Sequence, residues 1–350
     1  MTQIADEGAL TLIALLAYTK ETSGEISRVS RNFQRLSHAD KQWLSEVTAT
    51  GRKSLAEDMS HGISVNQTFF QQLVKHRLLL PQLHIQTFPE SIAPEELVPY
   101  SMRVRHLLMA LVREWTADGA GERGILLDTI NDLLQKHMSK RPCTVLMPGG
   151  SMGRVALELV SKMGECDVTI VERDLLKSLV FKYITESVID AEISPYILNT
   201  CNRRISEIIG KTLTIPDNRE IIVNRNSVHF ITDDFFQWAS EETRKFDVIV
   251  TSFFLDACDT SITQLTRIFG LMLDSGGLWV NFGSLLYNYE GESTDSSLIY
   301  EASAEEVLMA VSRCGFDLIE QGFKKTSYCA NPHSLMYSEL DALYFVARKI

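Results

Sequence analysis

The chain has 350 residues, of which 45% are hydrophobic and 23% charged, and its formal net charge is −11. This is a globular composition with ample apolar surface, enough for two domains or one elaborated domain. An acidic chain with no basic cluster interleaved with aromatics disfavours non-specific nucleic-acid binding, and no nucleic-acid partner is expected. Six cysteines without a CxxC pair point to reduced, mostly buried thiols and an intracellular, cytoplasmic protein.

Residues 7 to 84 have a helical pattern. Leu12, Leu15, Leu16 and Tyr18 form an apolar stripe that Ile26, Phe33 and Leu36 continue at three- and four-residue steps. Arg28, Arg31 and Arg35 line another face and read as a solvated one. The run Leu10 to Ala17 follows Asp6 and Glu7 and is too short to span a bilayer, so no membrane partner is expected. Residues 85 to 100, with Pro89, Pro94 and Pro99, read as a connection. Met102 to Trp115 returns to helix, with Val104, Leu107, Leu108, Leu111 and Trp115 on one face. Thr116 to Arg123 reads as a turn, and Gly124 to Met138 as another helix.

From Cys143 the period changes. Short apolar runs alternate with helices, as in a doubly wound α/β sheet. The strand candidates are 143–148, 167–172, 228–232, 246–252, 277–282, 316–321 and 340–348. Seven strands, with the late pair Phe316 to Gln321 and Ala342 to Arg348 resembling a hairpin, fit a seven-stranded Rossmann-like methyltransferase sheet. A dinucleotide dehydrogenase more often repeats its βαβ half with six parallel strands. The reading is therefore a helical N-terminal region over 1–138 and a Rossmann-like domain over 139–350. An insertion at about 190–227 is expected to be helical to Gly210 and then a polar loop.

The stretch Cys143-Thr-Val-Leu-Met-Pro-Gly-Gly-Ser-Met-Gly-Arg154 organises that domain. A strand, a glycine turn and a helix put backbone N–H groups at a helix N-terminus facing a ligand. Glu172, which closes the next apolar run, lies 23 residues past Gly149. A carboxylate about 20 residues on suits the hydroxyls of a ribose. Ser151 stands where a second fingerprint glycine would be, so the turn alone leaves both NAD and S-adenosylmethionine open. Asp256 ends the run Phe246 to Phe254 at the carboxyl edge, where ligands bind in such sheets. Its unreactive reading is a helix N-cap before Ala257. No metal site stands out among the eight scattered histidines.

Several segments resemble the carnosine N-methyltransferase family: Val145 to Arg154, Thr251-Ser-Phe-Phe-Leu-Asp256, Gly276 to Tyr287, and Val112-Arg-Glu-Trp115 with Gly121-Glu-Arg123. Tyr18, Arg28, Arg31 to Phe33 and Leu36 match more weakly. The resemblance implies S-adenosyl-L-methionine as cofactor. It sets Gly149, Gly150, Ser151 and Gly153 against the amino-acid part, Glu172 on the ribose, Asp234 and Phe235 on the adenine, and Arg113 on the carboxylate, which suits a guanidinium fork. Ser252 stands at a cofactor-lining position where the family tends to have cysteine. Asp256 becomes the catalytic candidate and, with Tyr287, Asn288, His333 and Tyr337, the acceptor-binding set.

The departures from the family pattern are local. Gly150-Ser151 replaces an Ala-Gly pair, and Ala110 replaces a glutamine. Asn288 stands where the family places a histidine contacting the carnosine imidazole. Ser338-Glu-Leu340 replaces a run of tyrosines, with Tyr337 just before it and His333 nearby. The expected partner is a small-molecule methyl acceptor, carnosine-like or another imidazole or amine; a homodimer is left open. The competing readings are an O- or N-methyltransferase of a specialised metabolite and a non-catalytic S-adenosylmethionine-binding protein.

Overall fold

The computed structural model describes residues 2–47, 55–76, 94–138, 143–187, 190–287 and 300–350. The chain divides into two compact units with interleaved segments. One comprises Met1–Asp118, Lys182–Asp217 and Cys329–Tyr337; the other comprises Gly119–Phe181, Asn218–Tyr328 and Ser338–Ile350.

The first unit is mainly helical, with α1 (Thr2–Gln34), α2 (His38–Val47), α3 (Leu55–Lys75) and α4 (Pro94–Trp115). The buried face of α1 carries Leu12, Leu15, Tyr18 and Val29, whereas Leu16 and Phe33, expected on the stripe, are exposed. Tyr18 packs edge-on against Phe70 of α3 with ring centroids 5.0 Å apart. Helix α4 begins at Pro94, inside the segment expected to be a connection. Proline suits a first helical turn, where its missing N–H has no partner to lose. Residues 85–93, the rest of that expectation, lie outside the described residues, as do residues 77–84 at the end of the expected helical stretch.

The insertion folds differently from the expected helix and polar loop. It forms a two-stranded antiparallel sheet, β3 (Ala191–Ile193) with β4 (Leu213–Ile215), and a 3-10 turn at Ser206–Gly210. The reason is tertiary. Asn66, buried on α3, donates to the Ser194 carbonyl at 2.9 Å and accepts from the Ser194 N–H at 2.7 Å. Its side chain thus serves as an extra backbone partner next to β3.

The second unit opens with α5 (Ala120–His137), which starts four residues before the expected helix, and then alternates as expected. Its elements are β1 (Cys143–Pro148), α6 (Arg154–Met163), β2 (Cys166–Val171), α7 (Leu175–Glu186, whose end passes into the first unit), β5 (Val228–Ile231), α8 (Phe235–Glu241), β6 (Phe246–Ser252), α9 (Ile262–Met272), β7 (Leu273–Gly283), α10 (Ala304–Arg313), β8 (Phe316–Thr326) and β9 (Leu340–Lys349). The seven-stranded sheet has the order β5-β2-β1-β6-β7-β9-β8. The first five strands run parallel, and β9 runs antiparallel to both β7 and β8. Strands β1 and β2 are buried at five of their six positions, as parallel strands covered on both faces must be.

Trp279 of β7 is fully buried and meets Phe269, Phe316 and Phe345 edge-on at 4.8, 5.8 and 5.0 Å. A buried polar chain crosses this core. The Trp279 indole donates to Thr251 Oγ1 at 2.9 Å, Thr251 donates to Asn281 Oδ1 at 2.8 Å, and Asn281 donates to the Leu343 carbonyl at 3.0 Å. Each buried polar side chain in the chain finds a partner, so it costs little and pins β6, β7 and β9 in register just before β6 ends.

Candidate active site

The parallel register brings the strand ends to one level. Pro148 faces Val171, Val171 faces Ile231, Leu146 faces Ile249 and Ser252 faces Phe282. Continuing each pairing by a few residues aligns Thr232, Glu172, Gly149 and Ser252 along the carboxyl edge. From β5 to β6 this row spans about 14 Å, three strand spacings. That is the edge where ligands bind in open parallel sheets.

The turn after β1 is shaped by its backbone. Gly149, Ser151 and Gly153 have φ of 62°, 53° and 78°, in the left-handed region. At Gly153 a Cβ would sit 2.4 Å from Phe181 Cδ2, so only glycine fits there. The Gly149 N–H donates to Val171 O at 2.8 Å, and helix α6 begins directly after Gly153.

Glu172 is 5% exposed and holds this turn. Its Oε2 accepts from the Ser151 N–H at 3.1 Å, and its Oε1 from the Asp174 N–H at 2.9 Å. Lys177 Nζ lies 3.7 Å from Oε2. Burial pushes the Glu172 carboxyl above the usual glutamate value, against the pull of Lys177 and of the two backbone donors. Two donors leave lone pairs free on a carboxylate that has about four acceptor positions. A buried carboxylate at the rim of a glycine turn fits a ribose diol.

Asp234 caps α8. Its Oδ1 accepts from the Phe236 and Gln237 N–H groups at 2.9 and 3.1 Å, leaving Oδ2 outside the cap. Phe235 is buried, and its ring meets Phe254 and Phe269 edge-on, making it a core residue. Ser252, the last residue of β6, is half-buried.

Beyond Ser252 the chain turns sharply through Phe253, at φ 50°, into a 3-10 turn over Leu255–Ala257. Asp256 sits inside that turn and is 4% exposed. It is not the N-cap that the alternative reading proposed: its Oδ2 accepts from the Ser284 hydroxyl at 2.7 Å and the Leu286 N–H at 2.9 Å, both on the segment leaving β7. Tyr287 follows at φ 42° and donates its hydroxyl to the Ala302 carbonyl at 2.9 Å. Its phenol is pushed up to about 12, first by burial and then by the Asp256 charge. Tyr287 lines a cavity of about 560 Å³ with Leu286, Ala302 and Leu343.

The second unit therefore brings together Gly149 to Gly153, Glu172, Asp234, Phe235, Ser252, Asp256 and Tyr287. Arg113, His333 and Tyr337 belong to the helical unit. Arg113 is buried, and Tyr337 is 66% exposed. Asn288 lies outside the described residues. His333 is not the exposed loop histidine of the simplest reading. Its Nε2 lies 2.8 Å from Asp118 Oδ2 and 3.0 Å from Lys211 Nζ, and its ring meets Tyr196 edge-on at 5.5 Å. Asp118 also accepts from Lys211 at 2.7 and 2.8 Å and from Tyr196 at 2.9 Å. Burial alone would raise the Asp118 carboxyl, but the bonds from Lys211, His333 and Tyr196 outweigh it and hold it below the ordinary aspartate range.

Two features were absent from the sequence reading. The Ser284 and Leu286 donors to Asp256 come from 28 and 30 residues away. The Asp118 node gathers residues 78 to 215 positions apart. Neither leaves a local signature; Ser284 stood within a family-like segment, but nothing in that segment named its partner. Among the described residues no group of three or more His, Cys, Asp or Glu is placed to hold a metal, and no helix is long and apolar enough to cross a membrane. Of the six free cysteines, Cys143, Cys166 and Cys258 are buried and Cys201 is exposed.

The chain is 27% identical over 254 residues to the carnosine N-methyltransferase of Rattus norvegicus, covering 71% of this chain and 63% of that one. It is 26% identical over 270 residues to that of Schizosaccharomyces pombe, covering 72% of each, and 28% over 260 residues to that of Dictyostelium discoideum, covering 70% and 54%. It thus spans less than two thirds of the rat and Dictyostelium proteins. Among solved structures, TehB from Haemophilus influenzae aligns with a TM-score of 0.40 at 13% identity, over 64% of this chain and 62% of that one. The family profile described as carnosine N-methyltransferase matches residues 95–350, which take in every strand of the seven-stranded sheet, and the chain belongs to that family.

Proposed function

We propose that this protein is an S-adenosyl-L-methionine-dependent N-methyltransferase acting on a small molecule that presents an imidazole or amine nitrogen, with carnosine-like compounds foremost. The observation that carries this reading is the shared edge. The glycine turn with its buried Glu172 and the buried Asp256 follow parallel strands that end at one level. Family membership and the names of the relatives support it.

When bound, S-adenosylmethionine supplies an activated methyl group on a sulfonium. Glu172 is proposed to hold the ribose hydroxyls, the backbone from Gly149 to Gly153 to receive the amino-acid part, and Asp234 Oδ2 to take the exocyclic amine of the adenine. Asp256 is the proposed catalytic residue. A neutral imidazole already offers one nitrogen lone pair as nucleophile, so no strong base is required. The Asp256 carboxylate accepts the N–H on the other ring nitrogen, orients the acceptor and stabilises the positive charge that grows on the ring during an in-line displacement. Burial strengthens that interaction by excluding water.

One substitution bears on which acceptor is taken, and an altered acceptor such as a histidine derivative or a different amine is the alternative to carnosine itself. Asn288 replaces a histidine that contacts the carnosine imidazole in the family, and asparagine can hydrogen-bond a ring nitrogen but cannot titrate. A methyl-transfer panel of carnosine, histidine, other imidazoles, simple amines and phenols, read by mass spectrometry, tests the reading. The expected result is methylation of at least one imidazole or amine at nitrogen. Methylation of phenols alone would favour an O-methyltransferase of a specialised metabolite. Cofactor binding with no transfer to any member would favour a non-catalytic binder.

A further inference from the structure

We propose that Ser284, together with the backbone N–H of Leu286, is a positioning clamp that fixes the Asp256 carboxylate in one orientation for methyl transfer. The inference rests on the catalytic reading of Asp256 given above and assigns a role to a residue outside the expected site set.

Asp256 Oδ2 accepts the Ser284 hydroxyl at 2.7 Å and the Leu286 N–H at 2.9 Å. Oδ1 has no protein donor among the described residues. The two oxygens of one buried carboxylate are thus unequal: one is committed to the protein and the other is left for a ligand. An unclamped carboxylate rotates about its last torsion, because that torsion has a broad, two-fold profile. Two converging donors remove that freedom.

The clamp is itself anchored on both sides. Before it, β7 and the end of β6 approach so closely that a Cβ on Gly283 would fall 2.8 Å from the Phe253 nitrogen. The Phe253 N–H donates to the Phe282 carbonyl at 2.9 Å. After it, Tyr287 is held at φ 42°, with its hydroxyl on the Ala302 carbonyl at 2.9 Å. A non-glycine residue keeps a left-handed conformation only where its surroundings impose it. Ser284 and Leu286 therefore sit on a short segment fixed at Gly283 and at Tyr287. Donors already in place need no reorganisation as charge develops on the acceptor, which is the condition for electrostatic stabilisation to lower a barrier.

Acting through Asp256 has a kinetic signature. In steady-state methyl transfer, Ser284→Ala should lower kcat about 10-fold while leaving the acceptor KM and the affinity for S-adenosylhomocysteine within about twofold. Ser284→Thr keeps the hydroxyl and should retain most of kcat. In an Asp256→Ala background, Ser284→Ala should add nothing, since the group it serves is already gone. A second measurement does not depend on turnover: amide hydrogen exchange at Leu286 should quicken about 10-fold in Asp256→Ala, because its acceptor is removed. The clamp is overturned if Ser284→Ala leaves kcat unchanged, if it costs as much without Asp256 as with it, or if Leu286 exchanges equally in Asp256→Ala and wild type. Absence of turnover in the wild-type protein would instead overturn the functional reading, and the Leu286 amide would still decide the clamp.

Discussion

Glu172 does two jobs with one carboxylate. It holds Ser151 and Asp174 through their backbone N–H groups, and it is the residue proposed for the ribose. Because burial raises its pKa, the folded protein binds the Glu172 proton more tightly than the unfolded chain does. Linkage then makes its contribution to stability greatest below the ordinary glutamate value and lost as pH rises from there through the raised folded value. Cofactor affinity should run the other way, since ribose hydroxyls donate to the ionised form. Calorimetry with S-adenosylhomocysteine should show affinity falling as pH drops through the raised Glu172 value. Glu172→Gln should bind about 10-fold more weakly and lose that pH dependence; a pH profile unchanged in the variant would count against the assignment. The place of Glu172 beside the glycine turn could be read from the apolar run it closes and its spacing to Gly149. Ser284 could not, because a serine 28 residues from an aspartate carries no local pattern.

The turn between β1 and α6 is the element on which cofactor binding is proposed to rest, and its glycines are required sterically. Gly153→Ala would place a Cβ 2.4 Å from the Phe181 ring at φ 78°. The left-handed conformation costs about 1–2 kcal/mol for a residue with a Cβ, and the overpacking about 1–3 kcal/mol more. The variant should melt at lower temperature and bind S-adenosylhomocysteine at least 10-fold more weakly, by the same rule that overpacked cores shift backbone. A variant that melts lower but binds normally would separate the turn from the ligand. Elements of this kind were readable from sequence because their signals are local: apolar β-branched runs for β1 and β2, punctuated by Pro148 and the glycines. Strands β3 and β4 were not, since each is three residues long and Asn66 reaches Ser194 from 128 positions away. Strand β8 outran its apolar core for a related reason: its exposed outer half, through Lys324 and Lys325, stays extended because it pairs with β9.

Seven strands follow from counting apolar runs, and the late hairpin-like pair points to a reversed strand near the end. The insertion of β9 between β7 and β8 does not, because it is settled by non-local pairing such as Val280 with Val346 and Glu320 with Val346. The aromatic core around Trp279 rewards that order, and the Trp279–Thr251–Asn281–Leu343 chain locks it. That lock includes Thr251, one residue before β6 ends and on the strand that leads to Asp256. Sheet order, core and candidate chemistry are linked through these side chains. The expectation that matters most is that one buried carboxylate at the sheet edge governs transfer without governing cofactor binding. The direct measurement is single-turnover transfer of a labelled methyl group from S-adenosylmethionine to an accepted imidazole, comparing wild type with Asp256→Asn at saturating cofactor. The account predicts equal cofactor affinity and transfer slowed about 100-fold in the variant. Equal transfer rates in the two proteins would contradict it.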